Sequence, residues 1–506
     1  MQRRAHVGAP APPRHVSERH DAHGGGATAA TGRVLRTLLH GRRSYVPLRR
    51  ARAGPRNSPP RHRALKSAHR GVTPGARALL NMTGRRRTAF PRPFPLLIGT
   101  AVAGALLLSG CGVLPGGPGG SGEPVTVMTW APDQVDDVDA VSMPGVPAMA
   151  RTYARWINEQ GGIRGRELRV ITCDERDTAA GAERCARQAV DRGVAAVVGS
   201  YSRHGQSAIP VLESGGIPYI GGYGASEEEF RSYLSYPVNG GQSALLAGHG
   251  RQLADGCERV SLVRPDSIGG ARMPQLLNTG LLAAQRPEST DILAPERATS
   301  YDEQAAKALR RAGGSCVAAV LGSRTETFFD SFRRLEPEGE RVRISSVLGS
   351  VSQPLINRTG GRKSPFEGAY VTGWYPDAGD PRWHEMREVI RKYAFGDNRI
   401  DPDDTGVQTT WIAYTVLRAV VGTIGDDTVT AGRIASSLNR GTEVDTGGLT
   451  PVLRWRFKDL LGTSPYPRIV NAEVTFQVVR EGRLTAQKKG FVDVAEALSD
   501  ARRTAG

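Results

Sequence analysis

From residue 125 onward the chain alternates short β-branched or apolar runs with amphipathic stretches, and that alternation restricts the fold more than any other feature. A strand, a helix and a second strand in the same direction form one right-handed unit, so repeated units build parallel sheets. The first block reads as strand 125–130 and then a helix on which Val146, Met149, Tyr153, Trp156 and Ile157 recur at helical spacing. Gly161-Gly162 stops that helix. Strand 167–172, helix 178–192, strand 195–199, helix 206–213 and strand 217–220 complete the block. The pattern then restarts with helix 242–254, strand 259–263, helix 271–284, strand 291–294, helix 301–312, strand 317–321, helix 326–335 and strand 343–348. Strand 368–374 is expected to carry the chain back toward the first block. Helices 382–394 and 406–421 follow, with Trp411, Tyr414, Leu417 and Val421 on one face of the latter, and 470–494 reads as strands and turns. The predicted fold class is α/β, two doubly wound parallel-sheet lobes joined by a hinge with a cleft between them.

Ahead of this region the composition changes. Leu108-Ser109-Gly110-Cys111 closes a stretch that starts at Met82, passes Arg85-Arg86-Arg87 and crosses an uncharged apolar segment, 96–108. Basic residues, an apolar core and small residues before a cysteine have the layout of a bacterial lipoprotein signal peptide. The apolar core is about a dozen residues where a bilayer span needs roughly 20, so it reads as cleaved. Cys111 then becomes the lipidated first residue, on the outer face of the cytoplasmic membrane; an uncleaved anchor with a chance cysteine is the alternative. Residues 1–81 are rich in Arg, His, Pro, Gly and Ala without an apolar period. They read as untranslated, with translation starting near Met82, or else as a disordered basic extension.

The expected organisation is therefore 1–81 outside the folded protein, 82–110 signal peptide, 111–124 a Gly/Pro-rich tether, 125–240 the first lobe and 241–368 the second. Residues 369–506 cross over, return elements to the first lobe and complete the second.

The formal net charge of +17 suggests a nucleic-acid partner only if it is spread along the chain. Residues 1–110 hold 21 Arg and Lys against two acids, Glu18 and Asp21, which leaves 46 bases and 48 acids downstream. The region that folds is near neutral, and no nucleic-acid partner is expected.

The segment Asn158-Glu159-Gln160-Gly161-Gly162-Ile163-Arg164-Gly165-Arg166 ends the first helix and feeds the second strand. With Asp174 and Asp177, the run from Asp191 to Gly199, and Gly215-Gly216-Ile217-Pro218-Tyr219-Ile220, it resembles the signature of type I periplasmic binding proteins, particularly the leucine/isoleucine/valine-binding family. The motif matches lie in the first lobe; beyond it the order of elements agrees. The resemblance implies an ABC-transporter substrate-binding lipoprotein that takes an amino acid, amide or related small polar metabolite and delivers it to permease subunits.

Open parallel sheets bind ligands at the carboxyl ends of their strands, where loops and helix N-termini offer N–H groups. Two such loops stand out in the first lobe, 200–205 and 221–226. Family members hold the ligand carboxylate with a serine in the first and a small residue and hydroxyl in the second, which implies Ser200 or Ser202, and Ala225 with Ser226. Tyr201 and Tyr223 share these loops and join the candidates. Each serine equally suits a helix-capping turn. The second lobe offers Ser267 or Ile268, Ser323 and Ser350 where branched-chain binders use an aromatic residue and an acid for the ligand ammonium; a buried ammonium without a carboxylate is costly. Trp130, ending the first strand, and Trp374-Tyr375 are candidate apolar walls, or core.

Cys173 ends the second strand and Cys185 lies on the next helix; Cys257 and Cys316 precede strands of the second lobe. One disulfide per lobe is expected. Without a C-x-x-C or Cys/His cluster no metal is expected, and no cofactor. The chain has no G-x-S-x-G elbow and no phosphate loop, and His384-Glu385 meets Glu388 where a zinc protease needs histidine, so an extracytoplasmic hydrolase is the weaker alternative and no enzyme activity is expected. A ligand-sensing receptor component of the same fold shares every feature above. The folded region is expected to be a monomer.

Overall fold

A computed structural model describes residues 122–134, 140–310, 315–337, 339, 342–425, 427–462 and 466–500. Cys111, the signal segment and residues 1–81 lie outside the described residues. In chain order the first lobe contains β1 (Gly122–Ala131), α1 (Gly145–Glu159), β2 (Arg166–Asp174), α2 (Ala179–Asp191), β3 (Ala196–Val198), α3 (Gly205–Ser214), β4 (Tyr219–Ile220) and β5 (Ser235–Tyr236). The second contains α4 (Gly241–Ala254), β6 (Arg259–Pro265), α5 (Met273–Ala283), β7 (Thr290–Ala294), α6 (Asp302–Leu309), β8 (Ser315–Ala319), α7 (Thr325–Leu335), β9 (Arg343–Val347), α8 (Gln353–Arg358) and β10 (Tyr370–Gly373). The remainder forms α9 (His384–Tyr393), α10 (Thr405–Thr423), α11 (Ala431–Arg440), β11 (Glu473–Arg480), β12 (Arg483–Ala486), β13 (Val492–Asp493) and α12 (Ala495–Asp500).

The sheets run β2-β1-β3-β4-β5 and β12-β11-β10-β9-β8-β6-β7. The first is parallel throughout. In the second, β7-β6-β8-β9-β10 repeats the first order, and β11 and β12 add antiparallel strands at one edge. Each sheet reverses its strand order beside its first strand, the position where open sheets leave a crevice at the strand ends. Two expectations need correction. β1 begins at Gly122, within the expected tether. β10 pairs with β9 and β11, so 370–373 belongs to the second sheet and the return crossing follows it.

The glycine-rich signature has a mechanical explanation. Asn158 near the end of α1 pairs with β2 through both amide atoms, Nδ2 to Leu168 O (3.0 Å) and Leu168 N to Oδ1 (2.8 Å). The chain reverses at once between them. Gly162 has φ +77°, and a Cβ there would sit 2.0 Å from Arg166 O, so only glycine fits. Ile163 and Arg166 exchange backbone hydrogen bonds across the turn, and Ile163 inserts into the core. Against the buried face of α1 lies α10: Trp156 stacks on Trp411 at 5.2 Å, and Tyr153 meets Trp411 and Tyr414 edge-on or tilted at 5.1 and 5.3 Å.

Three segments cross between lobes: 237–240, 374–377 and 466–472. Buried polar groups bind them together. Asn239 Nδ2 donates to Tyr375 Oη (3.2 Å) and Tyr223 O (3.2 Å), Asn471 Nδ2 to Val238 O (3.1 Å), and Trp374 Nε1 to Gly241 O (3.0 Å). Thr475 and Gln477 both donate to Tyr375 O. These bonds tie the crossing segments to one another and to the strand β11 that follows the third.

Disulfides join Cys173 to Cys185 and Cys257 to Cys316, with Cα atoms 5.8 and 5.7 Å apart. The first ties β2 to α2. The second joins the chain just before β6 to the adjacent strand β8.

Candidate ligand-binding cleft

Gly199 and Gly221 end β3 and β4 with φ near +60° and launch the two first-lobe loops. A Cβ on Gly221 would lie 2.4 Å from Ala413 Cβ on α10, so the strand ends press directly on that helix. Thr410 Oγ1 donates to Gly199 O (3.0 Å) and fixes the same junction.

The candidate serines are already engaged. Ser200 Oγ accepts from Trp130 N (3.0 Å), which anchors the first loop to β1, and Ser202 Oγ accepts from His204 N (3.0 Å). An accepting hydroxyl keeps its own proton for a further acceptor. Ser226 and Glu229 form a capping box: Glu229 takes hydrogen bonds from Ser226 N (3.1 Å), Ser226 Oγ (3.2 Å) and Gly224 N (3.0 Å). Burial raises the Glu229 carboxyl to about 7, against the lowering effect of those donors. Ala225 is exposed. The S-x-x-E spacing that reveals Glu229 is visible in the sequence, yet only Ser226 of the pair stood out there.

Tyr201 and Tyr223 meet edge-on with ring centres 5.0 Å apart, and Tyr223 meets Trp374 at 5.3 Å. Trp374 and Tyr375 thus belong to the crossing itself, next to the first-lobe loops. Trp130 does not join them. It is buried among Met128, Ala182, Cys185, Ala208 and Ile209 beneath α2 and α3, with its ring 5.8 Å from Tyr219, so it packs the core and does not wall the cleft.

In the second lobe Ser350 is buried and its Oγ accepts from Gly322 N (3.1 Å), joining the loops after β8 and β9. Ser267 Oγ accepts from Gly270 N (3.3 Å) and stiffens the loop after β6, while Ser323 is exposed. These loops face those of the first lobe: the Tyr223 hydroxyl lies 3.5 Å from where a Cβ on Gly349 would be. Outside this contact, Arg272 Nη1 before α5 reaches Glu227 Oε1 (3.3 Å), and Tyr466 Oη donates to the same oxygen (3.2 Å). Arg272 also lies 5.7 Å over the Tyr466 ring. Deeper in, a cavity of ≈ 20 Å³ lined by Ser352, Gln353, Tyr375, Thr405, Gln408 and Gln477 is about the size of a single water molecule. The lobes are in contact here, and a solute of several heavy atoms requires them to part.

Beneath the first loop, Arg203 binds Asp177 through Nε (3.0 Å) and a second, shorter contact from Nη2. Asp177 also accepts from Val141 N (2.9 Å), and His204 Nε2 lies 3.5 Å from it. Sequence reasoning placed Asp177 in the signature but gave it no partner, because Arg203 is 26 residues away.

Two sheets that share a five-strand order, facing loops and three crossing segments define a two-lobed binding protein. Residues 138–459 match the family model described as periplasmic binding protein, and the chain belongs to that family. No curated protein matches it. Among solved structures it is similar to a branched-chain amino acid ABC transporter protein from Thermus thermophilus with bound valine, at 17% identity and TM-score 0.59, covering 76% of this chain and 100% of that one. A leucine-binding protein from Thermotoga maritima gives 16%, 0.56, 73% and 99%. A fatty acid ABC transporter substrate-binding protein from Thermomonospora curvata gives 12%, 0.57, 75% and 95%. One fold therefore serves ligands as different as valine and a fatty acid, and the fold alone does not select among them.

Proposed function

We propose that this chain is an extracytoplasmic solute-binding protein, lipid-anchored through Cys111, that closes its lobes on a small polar metabolite such as an amino acid or amide and delivers it to an ABC importer. The observation that carries this reading is the meeting of corresponding strand-end loops from two sheets of equal order across a hinge. Ser200 or Ser202 supplies a hydroxyl proton to a ligand acceptor, Tyr201, Tyr223 and Trp374 supply an apolar face, and the second-lobe loops supply Ser323 and Ser350. No covalent step is involved. Capture follows from lobe closure, which removes the ligand from water and strengthens its hydrogen bonds.

Thermal-shift screening of the purified chain against amino acids, amides and related metabolites, followed by calorimetry, tests the binding claim. A saturating solute at 100 times its Kd raises stability by about 2.7 kcal/mol. If no class shifts the melting point, or Tyr223→Ala leaves the affinity of a hit unchanged, the site is misassigned. Cys111→Ala is expected to release the protein from the membrane fraction; retention there argues against lipid anchoring.

A further inference from the structure

Solute binding as just described leaves one buried carboxyl unused. Glu175 follows β2 in the turn before α2; it is fully buried, and neither carboxylate oxygen has a hydrogen-bond partner of normal geometry. Its main chain is fixed. The Glu175 carbonyl accepts from Thr178 N and Thr178 Oγ1, both at 3.1 Å, and a Cβ on Gly181 would sit 1.8 Å from that carbonyl oxygen. A side chain on such a stem reaches water only if the groups covering it move.

Among the described residues, the groups that interact with it come from several places in the first lobe. Asp177 belongs to the same turn; Tyr201, Ser202 and Arg203 come from the loop after β3, Tyr219 from β4, and Glu229 from the turn after β4. Arg203 is the nearby cation in this set, and it is committed to Asp177, which His204 also approaches. Burial holds the Glu175 carboxyl up at about 8; Asp177 and Glu229 push the same way, while Ser202 and Arg203 oppose it. The neutral acid is therefore the form that fits beneath the loop near pH 7.

We propose that Glu175 is a proton switch under the first ligand loop: the neutral side chain lets 200–204 seat over it, and loss of its proton to solvent displaces that loop. An ionised Glu175 needs a cation or water. Either Arg203 leaves Asp177 for it or the loop lifts, and both shifts move Tyr201 and Ser202. Solute capture is then favoured on the acidic side and weakens as pH rises toward about 8. The link to capture rests on the function proposed above; the loop movement does not, and it is measurable without a solute.

The test is hydrogen exchange of the full chain from pH 6 to 9.5, corrected for intrinsic exchange, reading peptides that cover 199–206. Wild-type protection is expected to fall by up to tenfold per pH unit, the limit for one proton, as pH rises from 6 toward 8, and to level off above that, where the seated and displaced states are both ionised. Glu175→Gln, which cannot ionise, is expected to hold its protection flat. Protection that is constant in the wild type, or that falls equally in the variant, overturns the switch. Where Glu175→Gln does not fold, a carbon-13 titration of the wild-type Glu175 carboxyl replaces it: a midpoint at the pH where the loss of protection levels off supports the switch, and one elsewhere overturns it. A chain that binds no solute but shows the transition refutes the proposed function and leaves the switch standing.

Discussion

His249 lies on α4 between two hydroxyls, Thr372 Oγ1 at 2.9 Å and Ser345 Oγ at 3.0 Å, and is shut off from water. Burial lowers its pKa to about 3, with Gln252 opposing the shift, so the ring is neutral in the fold. The unfolded ring protonates near 6.5, and the unfolded state gains protons first as pH falls. Stability is thus expected to decline below pH 6.5, by up to about 1.4 kcal/mol per unit, until the folded ring itself titrates. His249→Leu leaves both hydroxyls without this partner and is expected to lose about 1–3 kcal/mol at pH 7.5 but to flatten the acid slope, as read from urea unfolding at pH 7.5 and 5. An unchanged slope contradicts the assignment. Residues of this kind show how far the sequence can be read at this scale. The loop serines and tyrosines were legible because turn chemistry is local. Their partners were not: Ser200 bonds to Trp130 across 70 positions, and Trp130 at a strand end gives no local sign of which face it takes.

Elements were more legible where their signal is periodic or steric. The face of α1 and the Gly161-Gly162 stop are both in the sequence, and the fold adds the reason, a reversal too tight for a side chain at 162. β5, with two residues, and α8, with six, are too short to carry a period, and α11 buries only Ile434, Ala435, Ser437 and Leu438. The assignment of 368–374 failed for a different reason: an apolar run shows that a strand is buried, not which sheet takes it. Gly221→Ala should test the strand-to-α10 contact. Positive φ and a methyl 2.4 Å from Ala413 Cβ together are expected to cost about 2 kcal/mol or more by thermal or urea unfolding, and a neutral result means that α10 can yield. The disulfides separate by loop length. Closing 12 residues against 59 predicts about 3 and 4 kcal/mol, so Cys257→Ser/Cys316→Ser is expected to unfold at lower denaturant than Cys173→Ser/Cys185→Ser. The reverse order would assign the difference to native packing.

Across the whole molecule, lobe contact depends on groups that no local pattern reveals. Arg272 precedes α5 in the second lobe, Glu227 opens the turn after β4 in the first, and Tyr466 lies on the third crossing, so the lobe contact and the hinge share one carboxylate oxygen. Both charged side chains are more than 40% exposed, which limits an ion pair of this kind to about 0.2–1 kcal/mol. In a two-state opening that range is a factor of about 1.4 to 5 in the closed population, enough to alter solute affinity without touching the solute. Glu227→Gln and Arg272→Gln should each shift lobe-labelled chains toward the open distance in single-molecule fluorescence transfer, and the double variant should add less than the sum of the two. Tyr466→Phe removes one hydrogen bond to Glu227 and should give a smaller shift. Raising salt to 1 M, where the screening length is about 3 Å, is expected to move the wild type toward the variants and leave the double variant in place. Additive single effects, or equal salt responses in the wild type, the two charge variants and their double variant, would place control of closure in the buried Asn239, Tyr375 and Asn471 hinge bonds instead.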